Sequence, residues 1–173
     1  MDNKLSMSYM SFDGLSKSSE FLTLVLNNIG TCVLMLDKDM MLVALNDVSK
    51  TMFSNYANEH NEYRHCGNVL GCAWTVDTQQ QCGTTEACKI CNLREAGLLT
   101  VLTKKPVYKS RLDREFYTID GKKTLKHLQF STRIFEYLDE NYVIVFVEDI
   151  THLIEQHELI RDLKERLLQL GDS

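Results

Sequence analysis

The sequence predicts an α+β domain whose single sheet has five antiparallel strands and is flanked by helices, with an amphipathic helix at the C-terminal end. Two short apolar segments within residues 31–45 have the spacing of a β-hairpin. Three longer alternating segments follow Pro106, the only proline, and helix-like segments lie between the two groups of strands. With 173 residues, the chain is long enough for one domain of this kind with extensions.

The predicted elements follow one another from residue 19. Residues 1–18, rich in Ser, Met and Asn, are expected to form a flexible leader, and residues 57–69 are polar and aperiodic. Asn46 and Asp47 can cap the second helix, and Asn92 can cap the third. In chain order, the predicted elements are a helix over 19–29, strands over 31–37 and 40–45, a helix over 48–56, a helix over 92–102, and strands over 107–119, 124–138 and 142–148.

Composition and charge narrow the possible functions. Apolar residues make up 44% of the chain and charged residues 25%, which is ordinary for a globular protein. The net charge is −5 and no run of Lys or Arg offsets it, so we do not expect binding to nucleic acid. No window of about 18 apolar residues and no signal-peptide core occurs, so we expect a cytoplasmic protein without a membrane segment. No catalytic triad, phosphate-binding loop or carboxylate pair stands out, so we do not expect an enzyme.

Four of the six cysteines lie between Gly71 and Cys91, in the pattern Cys72-x9-Cys82-x5-Cys88-x2-Cys91. Thiols stay reduced in the cytoplasm, so this pattern indicates a metal or redox site before it indicates disulfides. Four thiolates satisfy the coordination of Zn²⁺, and equally the terminal positions of a [2Fe–2S] or [4Fe–4S] cluster. The spacing alone leaves zinc and iron–sulfur open. A helix that begins after Cys91 would place the site at a helix N-terminus, where the dipole stabilises anionic sulfur.

The other residues near this pattern have plainer interpretations. Cys32 lies in the first predicted strand, on its apolar face, so we expect a small core residue. Cys66 and its neighbour His65 lie in the polar loop, where ligation or a spare redox thiol is the minor interpretation. Trp74 is expected to pack over the site.

After residue 149 the pattern becomes that of a short coiled coil. Five of the six residues at heptad a and d positions are apolar, and the charges between them are mixed in sign. We therefore expect a helix that pairs with a second copy of the chain, with folding back onto its own sheet as the alternative. The seam residues are Leu153, Gln156, Ile160, Leu163, Leu167 and Leu170.

The order of these elements resembles the PAS sensor-domain family over about residues 19–151. The sequence Asp149-Ile150-Thr151 resembles the junction from which PAS domains pass a signal to an output helix. The cysteine segment is similar to that of a branch of bacterial sensory PAS domains associated with an iron–sulfur cluster, although Cys66 adds a fifth thiol. The segments that carry this likeness are Leu70-Gly71-Cys72, Cys82-Gly83-Thr84-Thr85-Glu86 and Cys88-Lys89-Ile90-Cys91.

The resemblance implies a PAS-like sensor domain over 19–150 with a cysteine-rich insert over 66–91, and a signalling and dimerisation helix over 151–173. It further implies a redox or oxygen sensor whose iron–sulfur cluster is bound by Cys72, Cys82, Cys88 and Cys91. The output would pass from a homodimer to a separate kinase or regulator. Two alternatives stay open: a structural zinc PAS-like interaction module, and a PAS pocket for a small organic ligand.

Overall fold

The structure is a computed structural model, which describes residues 19–53 and 65–171. The predicted leader over 1–18 lies outside the described residues, as do residues 54–64 of the predicted second helix and polar segment. The helices are α1 (Ser19–Asn28), α2 (Val48–Met52), α3 (Cys66–Val69), α4 (Ala73–Thr78), α5 (Asn92–Thr103) and α6 (Thr151–Gly171), with a 3₁₀ helix (Glu86–Ile90) before α5. The strands are β1 (Cys32–Leu36), β2 (Leu42–Leu45), β3 (Val107–Tyr117), β4 (Lys123–Tyr137) and β5 (Glu140–Asp149).

The five strands form one antiparallel sheet in the order β2-β1-β5-β4-β3, which confirms the predicted fold class. β1 pairs with β5 so that Leu34 lies opposite Val145, and β5 pairs with β4 so that Val147 lies opposite Phe130. Alternate residues of these strands point to one face of the sheet and form the core. The buried residues of this face are Cys32, Leu34 and Leu36 of β1, Leu128, Phe130 and Thr132 of β4, and Val143, Val145 and Val147 of β5.

Helix α5 packs across β3, β4 and β5 on the core face. It buries Leu93, Ala96 and Thr100, which recur at helical spacing. The hydroxyl groups of Thr100 and Thr132 lie 2.6 Å apart and satisfy each other in the core. The helix thus fixes the position of its own N-terminus, which faces the cysteine segment.

Asp47 is the N-cap residue of α2, as predicted, but the helix has no side-chain capping bond. The Asn46 side chain faces the core, where its amide donates to the carbonyls of Leu26 (2.7 Å) and Thr31 (2.9 Å). Its oxygen accepts from the backbone N–H of Val33 at 2.9 Å. The Asp47 side chain makes no capping bond either. Asn46 therefore joins α1, the following turn and β1. Buried backbone N–H and C=O groups must be hydrogen-bonded, and the Asn46 side chain serves them and not the start of α2.

The predicted cap of α5 was wrong, although the helix begins where it was expected. Cys91 is the N-cap residue, and Asn92 is the first residue of the helix. The Asn92 side chain donates to the carbonyl of Arg111 on β3 at 2.9 Å. Asn92 thereby ties the start of the helix to the sheet.

The junction between β5 and α6 is held by hydrogen bonds to β4. The Asp149 carboxylate accepts from the backbone N–H (3.0 Å) and the hydroxyl (2.5 Å) of Thr151, and it pairs with Lys126 at 2.6 Å. His127 completes the junction, since its N–H donates to the Thr151 hydroxyl and its carbonyl accepts from Ile150 N–H. The first residues of the helix are therefore fixed to the sheet.

Beyond Ile154, the described side chains of α6 are exposed, including 49% of Leu163 and 50% of Ile160. The described part of the helix does not fold back onto its own sheet, which was the alternative to pairing. In the described parts of the chain, none of the helices has the length and apolar character that crossing a membrane requires.

We expect Asp149→Asn to weaken the junction in a pH-dependent way. Burial raises the pKa of Asp149, but the ion pair with Lys126 and the hydrogen bonds from Thr151 outweigh it and hold the pKa below its usual range. A lowered pKa adds stability above the unfolded-state pKa, and this is lost as the pH falls through the folded-state value. At pH 7 the free energy of unfolding should drop by about 1 kcal/mol.

Urea unfolding at a series of pH values checks this. The difference between wild type and Asp149→Asn should shrink between about pH 5 and pH 2. Asp139→Asn, in the exposed β4–β5 turn, is the matched control and should change little at any pH. A difference that stays constant down to pH 2 would show that the Asp149 charge is not what holds the junction.

Candidate functional site

A cavity lies between the cysteine segment, the start of α5 and β3. Its wall is formed by five thiols and two arginines, with apolar side chains such as Leu112 and Phe116 completing it. All four cysteines predicted as ligands are therefore brought to one place, together with a fifth. The thiols and arginines of the wall are Cys66, Cys72, Cys82, Cys88, Cys91, Arg94 and Arg114.

Backbone pairing attaches the first of these cysteines to the sheet. Gly71 has a φ of 68°, which turns the chain sharply after α3. Cys72 then forms an antiparallel bridge with Phe116, and the N–H of Tyr117 donates to the Gly71 carbonyl at 2.8 Å. The N–H of Cys72 also donates back to Gly67 at 2.8 Å. Cys72 is thus fixed between α3 and the end of β3.

The loop that carries Cys82 is tied to α3 by one side chain. The Asn68 oxygen accepts from the Cys82 N–H at 2.7 Å, and the Asn68 amide donates to the Gln80 carbonyl at 3.1 Å. Gly67 lets this loop approach closely, because a Cβ at residue 67 would lie 2.7 Å from the Cys82 sulfur. The position of Cys82 in the cavity wall therefore requires a residue without a side chain at position 67.

Cys88 is held in conditions that favour its thiolate. The N–H of Gly83 donates to the Cys88 sulfur at 3.1 Å, and the hydroxyl of Thr85 donates to it at 3.0 Å. Gly83 has a φ of 100°, a conformation that side chains rarely allow. Burial raises the pKa of Cys88, but these hydrogen bonds outweigh it and lower the pKa below its ordinary value.

Two other thiols of the cavity, those of Cys72 and Cys82, are harder to deprotonate. Burial raises the pKa of Cys82 to about 12, with the neighbouring Cys88 adding to the effect and the Gly67 N–H opposing it. Burial also raises the pKa of Cys72, against the N–H groups of Trp74 and Thr75 and the charge of Arg114. A bound metal would reverse this balance, because a coordinating thiol is deprotonated outright.

Cys91 is the N-cap residue of α5, and its N–H donates to the Cys88 carbonyl at 3.3 Å. The helix that follows has twelve residues, so its N-terminus presents the positive end of a dipole to the cavity. The cysteine segment therefore meets a helix N-terminus, as the sequence predicts, but with Cys91 and not Asn92 at the cap.

The predicted loop position of Cys66 was wrong. Cys66 begins α3, is only 6% exposed and faces the same cavity as the other four thiols. Burial, followed by the neighbouring thiols, raises its pKa well above the ordinary value. Periodicity could not reveal this position, because α3 has only four residues. Cys32, in contrast, is a fully buried core residue, as predicted, and burial raises its pKa to about 12.

His65 lies just outside the cavity wall. Its Nε2 contacts the Gln81 side chain, and its Nδ1 is buried without a hydrogen-bond partner among the described residues. Burial, and then the charge of Arg94, lower its pKa. The residue pairs through its backbone with Met41, just before β2.

Sequence reasoning missed the two arginines. Arg114 is 7% exposed, and its guanidinium carbon lies 3.2 Å from the centre of the Trp74 ring. Its Nη1 lies 3.9 Å from the Cys72 sulfur, and its Nε is buried without a hydrogen-bond partner among the described residues. The sequence feature that could have revealed Arg114 is a charged residue at an inward position of β3, between Leu112 and Phe116. Trp74 therefore packs on the arginine of the cavity.

The cavity combines thiols with groups that present positive charge. Within residues 19–53 and 65–171, no three or more His, Cys, Asp or Glu side chains form a group that could hold one metal ion. Thiols, N–H donors and two arginines nevertheless share one wall. Cations and N–H groups of this kind stabilise sulfur ligands that carry negative charge.

Comparison with known proteins shows the fold. No protein-family model matches the chain, and no curated protein matches it significantly in sequence. An RNA-binding light-oxygen-voltage receptor matches all of this chain at 13% identity and a TM-score of 0.54, although this chain spans 43% of that receptor. The chain has a PAS-like fold, as the order of its elements predicts.

Two PAS domains are also similar to the chain at low identity. The PAS domain of nitrogen regulation protein NR(II) from Vibrio parahaemolyticus shares 13% identity over 75% of this chain and 97% of that one, with a TM-score of 0.43. A PAS domain from Desulfitobacterium hafniense shares 16% over 72% of this chain and 96% of that one, with a TM-score of 0.41. At such identities, function has to be argued from the site.

We expect Gly67→Ala to disrupt the cavity. The added methyl group would lie 2.7 Å from the Cys82 sulfur and 3.1 Å from its Cβ, so the Cys82 loop must move. The free energy of unfolding should fall by about 1–3 kcal/mol, the usual cost of overpacking. Gly30→Ala is the matched control, because nothing lies within 4 Å of its added methyl group. Equal urea midpoints for the two variants would show that residue 67 is not sterically critical.

Proposed function

We propose that this chain is a signal-sensing PAS protein that binds an iron–sulfur cluster and responds to redox state or oxygen. The observation that carries the proposal is the convergence of the cysteine segment on one cavity with two arginines in its wall. A bound cluster would supply one-electron redox chemistry and sensitivity to oxygen. The proposed role needs no catalytic step by this chain. The proposed ligands are Cys72, Cys82, Cys88 and Cys91.

The contacts of each sulfur favour these four over Cys66. The sulfurs of Cys72, Cys82 and Cys88 receive backbone N–H groups, which compensate a negative charge on sulfur. Cys91 lies at the positive end of α5. At Cys66 the main influences are burial and the neighbouring thiols, both of which raise its pKa. Cys66 is therefore proposed to remain a free thiol beside the cluster.

Four thiolates can bind either one Zn²⁺ or the irons of a cluster. The resemblance to a PAS branch associated with an iron–sulfur cluster is what favours the cluster. In a [4Fe–4S] cluster each thiolate binds a different iron, so the ligands surround a larger group. Structural zinc is the second candidate, because Cys88-x2-Cys91 has the spacing of a zinc knuckle.

A continuous set of contacts joins the cavity to α6. Cys72 is paired with the end of β3, and Arg114 of β3 lies opposite Lys126 of β4. Lys126 pairs with Asp149, which holds the N-terminus of α6 through Thr151. We propose that gain or loss of the cluster changes how the cysteine segment lies on β3, and that the strands carry the change to this junction.

The exposed helix α6 provides the proposed output. Its seam residues Leu153, Ile160 and Leu163 are each about half exposed, in heptad register with Leu167 and Leu170. We propose that these residues pair two copies of the chain, and that the dimer acts on a separate kinase or regulator. Neither nucleic acid nor a membrane takes part in this proposal.

Purification without oxygen should yield a coloured protein. We expect a broad visible absorbance that bleaches in air, together with iron and acid-labile sulfide and little zinc. Single replacement of Cys72, Cys82, Cys88 or Cys91 by Ala should remove most of this absorbance. Cys66→Ala and Cys32→Ala, which remove thiols outside the proposed ligand set, should retain it. A colourless protein with one equivalent of zinc would support the structural zinc module and refute the sensor.

Leu163→Asp should shift the chain from dimer to monomer. The substitution places a charge at the centre of the proposed seam, and the loss should be at least tenfold in the dimerisation constant, about 1.4 kcal/mol. Light scattering over a dilution series measures the mass. Leu168→Asp is the matched control, because it adds the same charge outside the seam at a residue that is 71% exposed. An equal mass for both variants and wild type would refute the seam.

A further inference from the structure

Arg114 is a buried, charged side chain. It lies on β3 between Leu112 and Phe116, which face the same core, and only 7% of it is exposed. Residues at every second position of a strand share one face, so Arg114 cannot reach solvent without leaving this face. A buried charge is retained only when other groups compensate it.

The described carboxylates do not supply that compensation. The neighbours of Arg114 in β3, Asp113 and Glu115, are exposed on the opposite face, and Asp113 pairs with Arg111 and His127. The residue across the strand is Lys126, a second cation, which is itself neutralised by Asp149 at 2.6 Å. Among residues 19–53 and 65–171, none of the ion pairs includes Arg114.

The contacts of Arg114 are with residues at or next to the cavity. The guanidinium carbon lies over the Trp74 ring, 3.2 Å from its centre, in a cation–π contact. Nη1 is directed at the Cys72 sulfur at 3.9 Å, and Nε stays without a partner. Arg94 adds a second guanidinium to the wall, against Gly83. The cavity therefore combines thiols with positive charge that lacks a described counter-ion.

We propose that Arg114 is the counter-charge of the group bound in this cavity and sets its reduction potential. The inference rests on the proposed function, since it assigns a role to Arg114 at the iron–sulfur site. On reduction the bound cluster gains one electron, and no bond forms or breaks. The reduced state is more negative, so a fixed buried cation beside Cys72 stabilises it more than the oxidised state. Arg114 is thus a positioning and tuning residue, not a ligand.

The test compares three variants of the full chain, each reconstituted without oxygen with iron and sulfide. A redox titration with dithionite as the one-electron reductant, followed by visible absorbance, gives the midpoint potential. Arg114→Gln should lower the equilibrium constant for reduction at least tenfold, a shift of about 59 mV to more negative potential for one electron. Arg114→Lys keeps the charge and should stay within about threefold of wild type.

Arg133→Gln is the matched control. Arg133 also lies over an aromatic ring, that of Tyr108 at 5.4 Å, but on an exposed part of β4. Its replacement should leave the potential unchanged. A merely structural role for Arg114 would alter the urea midpoint or the amount of cluster bound, without a shift of potential that tracks the charge.

The outcomes separate this inference from the proposed function. A coloured wild type whose potential is the same in Arg114→Gln overturns the role of Arg114 and leaves the cluster proposal in place. A wild type that binds no iron or sulfide overturns both. If Arg114→Gln binds no cluster, Arg114→Lys decides: binding with a near-wild-type potential supports the counter-charge, and failure to bind overturns it.

Discussion

The pairing of residues 71–72 with the end of β3 is the interaction on which the site depends. One bridge between Cys72 and Phe116 and one hydrogen bond from Tyr117 to Gly71 place the cysteine segment against the sheet. Without them, the segment between α3 and α5 would be a surface loop, and its thiols would be separated in space. Because β3 is an edge strand, its end has free backbone groups that can accept this additional pairing.

This attachment also explains why the cavity borders the core. Residues of β3 alternate between the two faces, so fixing Cys72 beside Phe116 places it next to the inward side chain at 114. The first turn of α5 closes the other side, since Leu93 packs into the core and Cys91 caps the helix. The thiols are therefore held by backbone pairing, helix packing and the Asn68 side chain together. Contacts of this kind position the side chains of a site before a ligand binds.

Much of the fold could be predicted because its strands alternate cleanly. The three long strands and α5 have strong periodic patterns, and their bounds differ from the prediction by a few residues. The side-chain capping bonds could not be predicted, since Asn46 and Asn92 bond to backbone groups that are distant in sequence. A capping motif reports only local chemistry, whereas the buried N–H and C=O groups of the whole fold compete for the same side chain.

The four predicted ligands could be found from the sequence, whereas two other residues of the site, Cys66 and Arg114, could not. Clustered cysteines indicate a metal or redox site by their residue type alone, so their clustering in the sequence was sufficient to predict a shared site. Cys66 was assigned to a loop because the four residues of α3 are too few to show a period. Arg114 was missed because the face of β3 to which a side chain points depends on strand register.

Binding of the proposed cluster would change the electrostatics of the cavity. With the thiols protonated, the guanidinium of Arg114 is buried beside neutral groups and is stabilised mainly by the Trp74 ring. With thiolates on a bound metal group, the same guanidinium faces net negative charge, and the raised pKa values of Cys72 and Cys82 no longer oppose ionisation. Under the proposed function, an anionic group in the cavity would therefore offset the electrostatic cost of the buried Arg114 charge.

The proposed change in charge at Arg114 would act close to the junction between β5 and α6. Arg114 lies opposite Lys126, and Lys126 shares Asp149 with the first turn of α6. If the proposed group neutralised Arg114, the repulsion between these two cations would be reduced, and the field on the Lys126–Asp149 pair would change with it. Because this pair is only partly exposed, solvent screens it less than it would a surface ion pair. The electrostatics of the cavity and the anchoring of the exposed helix are thus linked through two adjacent residues of one hairpin.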